Sequence, residues 1–190
     1  MKNKGIAVIF PGIGYHTDKP LLYYAKKLAK ESGYDPVEVS YEFPFKASEI
    51  KGNRDKMEEA FRLAVKQVET QLSSVKTDEY DRTIFIGKSI GTAVAAYYDK
   101  THDINAGHVV FTPVPDTFAF LKKGSGIVFN GNSDPWCDTG LAEKKCRELE
   151  MDIFVVDRAN HSLETGSVVT DVRNLADIME KVTQYISSIN

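Results

Sequence analysis

The chain has 190 residues, 42% of them hydrophobic and 27% charged, an ordinary globular composition with enough apolar material for one sizeable core. Its formal net charge is -3, with acidic and basic residues interspersed and no basic block or stripe, which argues against a nucleic-acid partner. The N-terminal apolar run, Gly5 to Phe10, stops at Pro11-Gly12, too short for a secretion signal and far too short to span a bilayer, so a cytoplasmic protein without a membrane partner is expected.

In chain order, Gly5 to Phe10 reads as a strand buried on both faces. A helix follows with Leu21, Ala25 and Leu28 on one face, closing around Gly33. The alternation repeats with a strand over Val37 to Tyr41, a helix whose inner face carries Met57, Phe61, Ala64, Val68 and Leu72, and a strand over Thr83 to Gly87. Next come a helix from about Ile90 to Lys100, strands Val109 to Thr112 and Ile127 to Gly131, a helix Leu141 to Leu149 and a strand Ile153 to Val156. A last helix has Val168, Val172, Leu175, Met179, Val182 and Ile186 at helical spacing. Six strands alternating with helices predict one α/β domain over residues 1–190, a three-layer α/β/α arrangement around a mostly parallel sheet. No repeat, low-complexity tract or linker marks a second domain. Cys137 and Cys146 lack the spacing of a metal site or a disulfide framework, so reduced thiols are expected.

Chemistry concentrates after the third strand. Thr83-Ile84-Phe85-Ile86-Gly87-Lys88-Ser89-Ile90-Gly91-Thr92-Ala93 sets Gly-x-Ser-x-Gly between an apolar strand and a helix rich in small residues. A serine on so sharp a turn is strained and projects above the sheet, and side chains in place of Gly87 and Gly91 would collide. The next amide, that of Ile90, then lies at a helix N-terminus, where it can hold a developing oxyanion.

Two later loops follow strands in the same way: Asn132-Ser133-Asp134-Pro135-Trp136 after Ile127 to Gly131, and Asp157-Arg158-Ala159-Asn160-His161-Ser162 after Ile153 to Val156. With these, the whole chain resembles the α/β-hydrolase family, closest to its small members without a cap domain, some of them dienelactone-hydrolase-like or esterase-like. The chain order serine, acid, histidine matches that family. The resemblance implies Ser89 as nucleophile, His161 as base and Asp134 as the carboxylate that fixes the imidazole tautomer. Asp138 and Asp157 compete for the last role. Asp138 is placed to cap the helix at Leu141 and Asp157 to pair with Arg158, whereas Asp134 directly follows its strand. His102 and His108 fall towards the far end of the sheet and read as structural.

The first strand runs into Phe10-Pro11-Gly12-Ile13-Gly14-Tyr15-His16, which resembles the family's oxyanion loop in position, with Pro11 where that loop more often has histidine. The Ile13 amide is the choice for second oxyanion donor, with Gly12 and Gly14 as alternatives. Gly12, Tyr15, Lys88 and Trp136 are candidates for substrate contact, although Lys88 has a surface position as its alternative. Pro113 to Lys123, where larger relatives carry a cap, is long enough only for a rim with Phe118 and Phe120. The implied sheet order is 2-1-3-4-5-6, and the implied reaction is hydrolysis of an ester or thioester of a small-molecule acyl substrate, with no metal or organic cofactor. Two rivals stand beside it: a catalytically silent binding protein on the same fold, and a nucleotide-binding protein. The nucleotide reading uses Gly12-x-Gly14-x-x-Thr17 and Glu38 but lacks the third glycine.

Overall fold

Six parallel strands form one sheet in the order β2-β1-β3-β4-β5-β6, where β1 is Gly5–Phe10, β2 Tyr34–Glu38, β3 Arg82–Lys88, β4 Gly107–Phe111, β5 Gly126–Gly131 and β6 Asp152–Val156. The computed structural model describes residues 4–50 and 53–189. Helices α1 (Pro20–Glu31), α2 (Ala47–Ile50), α3 (Arg54–Leu72), α4 (Ile90–His102), α5 (Thr139–Glu148) and α6 (Val168–Ser188) connect and cover the strands. The layering follows from the two-residue period of a strand. In β1, Ala7 and Ile9 join the core beneath α1 and α6, while Ile6, Val8 and Phe10 face α3 and α4. The expected α/β/α architecture and strand order are therefore those of the molecule. No helix among the described residues is long and apolar enough to cross a membrane.

The structure corrects three sequence expectations. The second strand lies at Tyr34–Glu38, not Val37 to Tyr41. Pro36 is tolerated because β2 is an edge strand with a neighbour on one side only. Beyond Val39, whose amide still donates to the Ile9 carbonyl at 3.1 Å, the segment leaves the sheet and pairs instead with two glutamines of α3: Gln71 bonds both backbone groups of Ser40 at 3.0 and 2.8 Å, and Gln67 those of Glu42 at 2.8 and 3.0 Å. In α6 the apolar row does not lie wholly inward. Val168 and Val172 are 77% and 61% exposed and line a surface cavity with Leu21 and Leu163, and only from Ile178 onward is the stripe enclosed. Met57 and Phe61 on α3 are likewise only partly buried: they pack against the core and also wall a cavity.

His102 and His108 are structural, as read. His108 Nε2 lies 3.0 Å from Asp99 Oδ2, with both side chains buried, and His102 contacts Glu69 at 2.9 Å on the surface. Between β4 and β5, residues 112–125 contain only one short 3₁₀ turn, Pro115–Ala119. Of the expected aromatic rim, Phe118 is buried in the core and Phe120 stacks on Phe61 at 5.8 Å between ring centroids.

Candidate active site

Ser89 occupies the junction of β3 and α4 with φ 58° and ψ -128°, a backbone conformation that an L residue holds only under constraint. The constraint is visible. The Ser89 N–H donates to the carbonyl of Phe111 at 3.0 Å, and its own carbonyl accepts from the Thr92 amide at 2.9 Å and the Thr92 hydroxyl at 2.6 Å. Thr92 is held in turn by the hydroxyl of Thr117 at 2.7 Å. A Cβ on Gly91 would overlap the backbone carbonyls of Phe10 and Pro11, so the absence of a side chain lets α4 seat against the end of β1. A Cβ on Gly87 would meet the Thr92 backbone at 2.9 Å. The collisions foreseen from the motif are therefore with neighbouring backbone.

His161 Nε2 lies 2.8 Å from Ser89 Oγ, and His161 Nδ1 lies 2.8 Å from Asp134 Oδ2. The neutral tautomer with its proton on Nδ1 satisfies both contacts, donating to the carboxylate and accepting from the hydroxyl. The other Asp134 oxygen accepts from the Trp136 amide at 2.8 Å, so both oxygens of a fully enclosed side chain are engaged. Neither rival carboxylate reaches the imidazole: Asp138 caps α5 through the Leu141 amide at 2.9 Å, and Asp157 accepts from Asn132 at 2.9 Å and Arg158 at 3.2 Å.

Two asparagines that the motif reading passed over set the loop geometry. Asn132 accepts from the Arg158 amide at 2.6 Å, tying the acid loop to the histidine loop. Asn160 accepts from the amides of Ser162 and Glu164 at 2.7 and 3.2 Å, turning the chain at the histidine. Only their place just after a strand and just before His161 could have drawn attention to them.

Burial lowers the pKa of His161 below its ordinary 6.5, and the nearby charge of Lys88 adds to the effect against the opposing hydrogen bond of Asp134. Its imidazole is expected to titrate below 6.5, as read from the ring C–H chemical shifts against pH. A midpoint at or above that value would contradict the environment described.

Ser89 and His161 open onto a cavity of about 210 Å³ walled by Ile13, Gly14, Tyr15, Lys19, Ile50, Met57, Lys88, Ile90, Trp136 and Ser162. Tyr15, Lys88 and Trp136 are thus beside Ser89, the Trp136 ring lying 5.6 Å from that of His161. Lys88 is 3% exposed, which rules out its surface alternative; burial brings its pKa down to about 7. Gly12 lies beneath the cavity rather than in its wall: a Cβ there would stand 3.1 Å from Ser89 Cβ and 3.2 Å from Lys88 Cδ, so its contribution is close packing. The chain turns back at Gly12–Tyr15 through two backbone bonds of 3.0 and 3.2 Å, with Gly14 at φ 71°. At this turn and at the start of α4, the amides of Ile13 and Ile90 donate to no acceptor among the described residues.

Lys19, Ile50, Met57 and Ser162 were not foreseen in this wall, because nothing in their local sequence distinguishes them from ordinary packing or surface positions. A second, apolar cavity of about 250 Å³ shares Met57 and Ile90 with the first and extends to Phe61, Ala93, Val114 and Phe120. A larger cavity, about 620 Å³, lies at the amino ends of the strands among Thr83, Asn105 and Gly107, remote from Ser89. The nucleotide-type features do not form a site: Glu38 is ion-paired to Lys26 at 2.9 Å, and α1 begins only at Pro20.

No family model and no curated protein matches the sequence. Solved structures do. Dienelactone hydrolase from Anabaena variabilis is 18% identical with a TM-score of 0.64, the match covering 97% of this chain and 88% of that one. Est1E from Butyrivibrio proteoclasticus is 9% identical with a TM-score of 0.66, covering 97% and 87%. A serine hydrolase without lid from Xanthomonas campestris is 14% identical with a TM-score of 0.58, covering 95% and 79%. The chain has the α/β-hydrolase fold in its lidless form.

Proposed function

On that fold, we propose that the protein is a serine hydrolase that cleaves a carboxylic ester or thioester of a small acyl substrate through a covalent acyl-enzyme. The reading rests on one observation: two consecutive 2.8 Å contacts run from the Ser89 hydroxyl through His161 to the buried carboxylate of Asp134. As the Ser89 oxygen attacks the carbonyl carbon, His161 Nε2 takes its proton, and the resulting imidazolium faces the Asp134 charge. The carbonyl oxygen, now anionic, accepts from the unused amides of Ile13 and Ile90. Collapse of the tetrahedral intermediate expels the alcohol or thiol, which takes the proton from His161. Water deprotonated by the same nitrogen then hydrolyses the acyl-Ser89 bond and releases the acid.

This chemistry uses only side chains, backbone amides and water. Gly12 admits the tight packing beneath the serine, while Tyr15, Trp136 and Lys88 contact the substrate in the wall. The apolar cavity beyond Met57 and Ile90 offers room for the hydrocarbon part. Two buried, free thiols, Cys137 and Cys146, fit a reducing cytoplasm.

An alkyl fluorophosphonate is expected to label the folded protein stoichiometrically at Ser89, with the adduct located by peptide mass mapping. Absence of an adduct on folded protein would favour the silent binding protein instead.

A further inference from the structure

Acyl transfer at Ser89 gives one charged group beside it no role. Among the described residues Lys88 is the only buried lysine or arginine, and its ammonium donates no hydrogen bond to any of them. It lies 5.0 Å from the centroid of the Tyr15 ring, and the Lys19 ammonium lies 5.4 Å from the centroid of the same ring. Both lysines stand in the wall of the cavity that holds Ser89. Two cations thus converge on one aromatic ring beside the nucleophile, repelling each other. The other charged groups facing Lys88 are Asp134 and His161, which are bonded to each other, and Glu164 on the histidine loop. A buried charge without a hydrogen-bonded counterion is costly, and an incoming anion would remove that cost.

We propose that the ester cleaved here carries a free carboxylate on its acyl part, received by Lys88 with Lys19. This rests on the reading of Ser89 as nucleophile. The spacer to the scissile carbonyl is short, because neighbouring Cα atoms are about 3.8 Å apart and place the ammonium within one side-chain length of the serine. A cavity of about 210 Å³ agrees, holding a dicarboxylic hemiester of a few methylenes. Burial lowers the Lys88 pKa to about 7, and a bound carboxylate raises it again, so such a substrate binds together with a proton.

The test compares monoethyl glutarate with the neutral ethyl ester in which an isopropyl group replaces the carboxylate, following acid release by pH-stat. The readout is the ratio of the two kcat/KM values within one protein, which cancels any general loss of activity. The hemiester is expected to be favoured by about tenfold or more, as one charged hydrogen bond allows. The preference should fall as pH rises past about 7. It should collapse in Lys88→Met, weaken in Lys19→Met and survive in part in Lys88→Arg. A neutral ester hydrolysed as well as the hemiester, or a preference unchanged in Lys88→Met, would overturn the inference.

Should Lys88→Met fail to fold, wild-type protein still decides. Glutarate must protect Ser89 from the fluorophosphonate at lower concentration than glutaramide, and equal protection overturns the proposal. Labelling of Ser89 with no turnover of the hemiester overturns it while leaving the hydrolase reading in place; no labelling and no turnover of either ester overturns both.

Discussion

Ser89→Ala is expected to lower kcat/KM for any hydrolysed ester by a factor on the order of ten thousand to a million, with the fold intact. In the proposed mechanism the hydroxyl is the atom that forms the covalent bond, and it is the one held 2.8 Å from His161 Nε2. Its removal costs the protein little: the 2.8 Å contact to His161 is lost, but the backbone bonds that shape the turn come from the Ser89 amide and carbonyl, which alanine retains. Circular dichroism and the denaturation midpoint should therefore match wild type to within about 1 kcal/mol, the usual scale of one hydrogen bond. Activity near wild type in the purified variant would remove Ser89 from the mechanism.

Asp134→Asn should be nearly as damaging to turnover, on the order of ten-thousand-fold in kcat. The reason lies in the two partners of the carboxylate. One oxygen accepts from the Trp136 amide at 2.8 Å, which an asparagine oxygen in the same place would continue to do. The amide nitrogen is then turned towards His161 Nδ1, at the 2.8 Å position of the second oxygen. A donor there forces the imidazole proton onto Nε2, so that the ring presents a donor to the serine hydroxyl instead of an acceptor. Asp138→Asn and Asp157→Asn serve as controls and should stay within about threefold of wild type, because neither carboxylate touches the imidazole. Steady-state kinetics on the three variants decide between the carboxylates, and a comparable loss in Asp157→Asn would refute the assignment.

These side chains were legible in the sequence because each sits at the carboxyl end of a parallel strand, where a turn motif and an apolar run give position and neighbourhood together. The strands themselves were read for the same reason, as short apolar runs ended by glycine, proline or polar residues. What escaped depended on partners far along the chain. Tyr34–Glu38 became the strand because Pro36 faces no second neighbour and because Gln67 and Gln71, some thirty residues on, capture the segment that reads as strand. The valines at the start of α6 follow a perfect helical row, yet periodicity does not say how much of such a row the rest of the chain covers. Lys88 adjoined the nucleophile in any reading, but whether its side chain went out to water or back over Tyr15 was settled by the Gly12 turn packing on it.

The brief 3₁₀ connection between β4 and β5 has a bearing on turnover itself. Among the described residues that connection carries no cap, so in the proposed reaction a substrate reaches the Ser89 cavity without passing beneath an added domain. Discrimination in that reaction then falls to the groups that wall the cavity beside Ser89, Tyr15, Lys88 and Trp136 among them, while the part beyond the leaving oxygen extends towards bulk water.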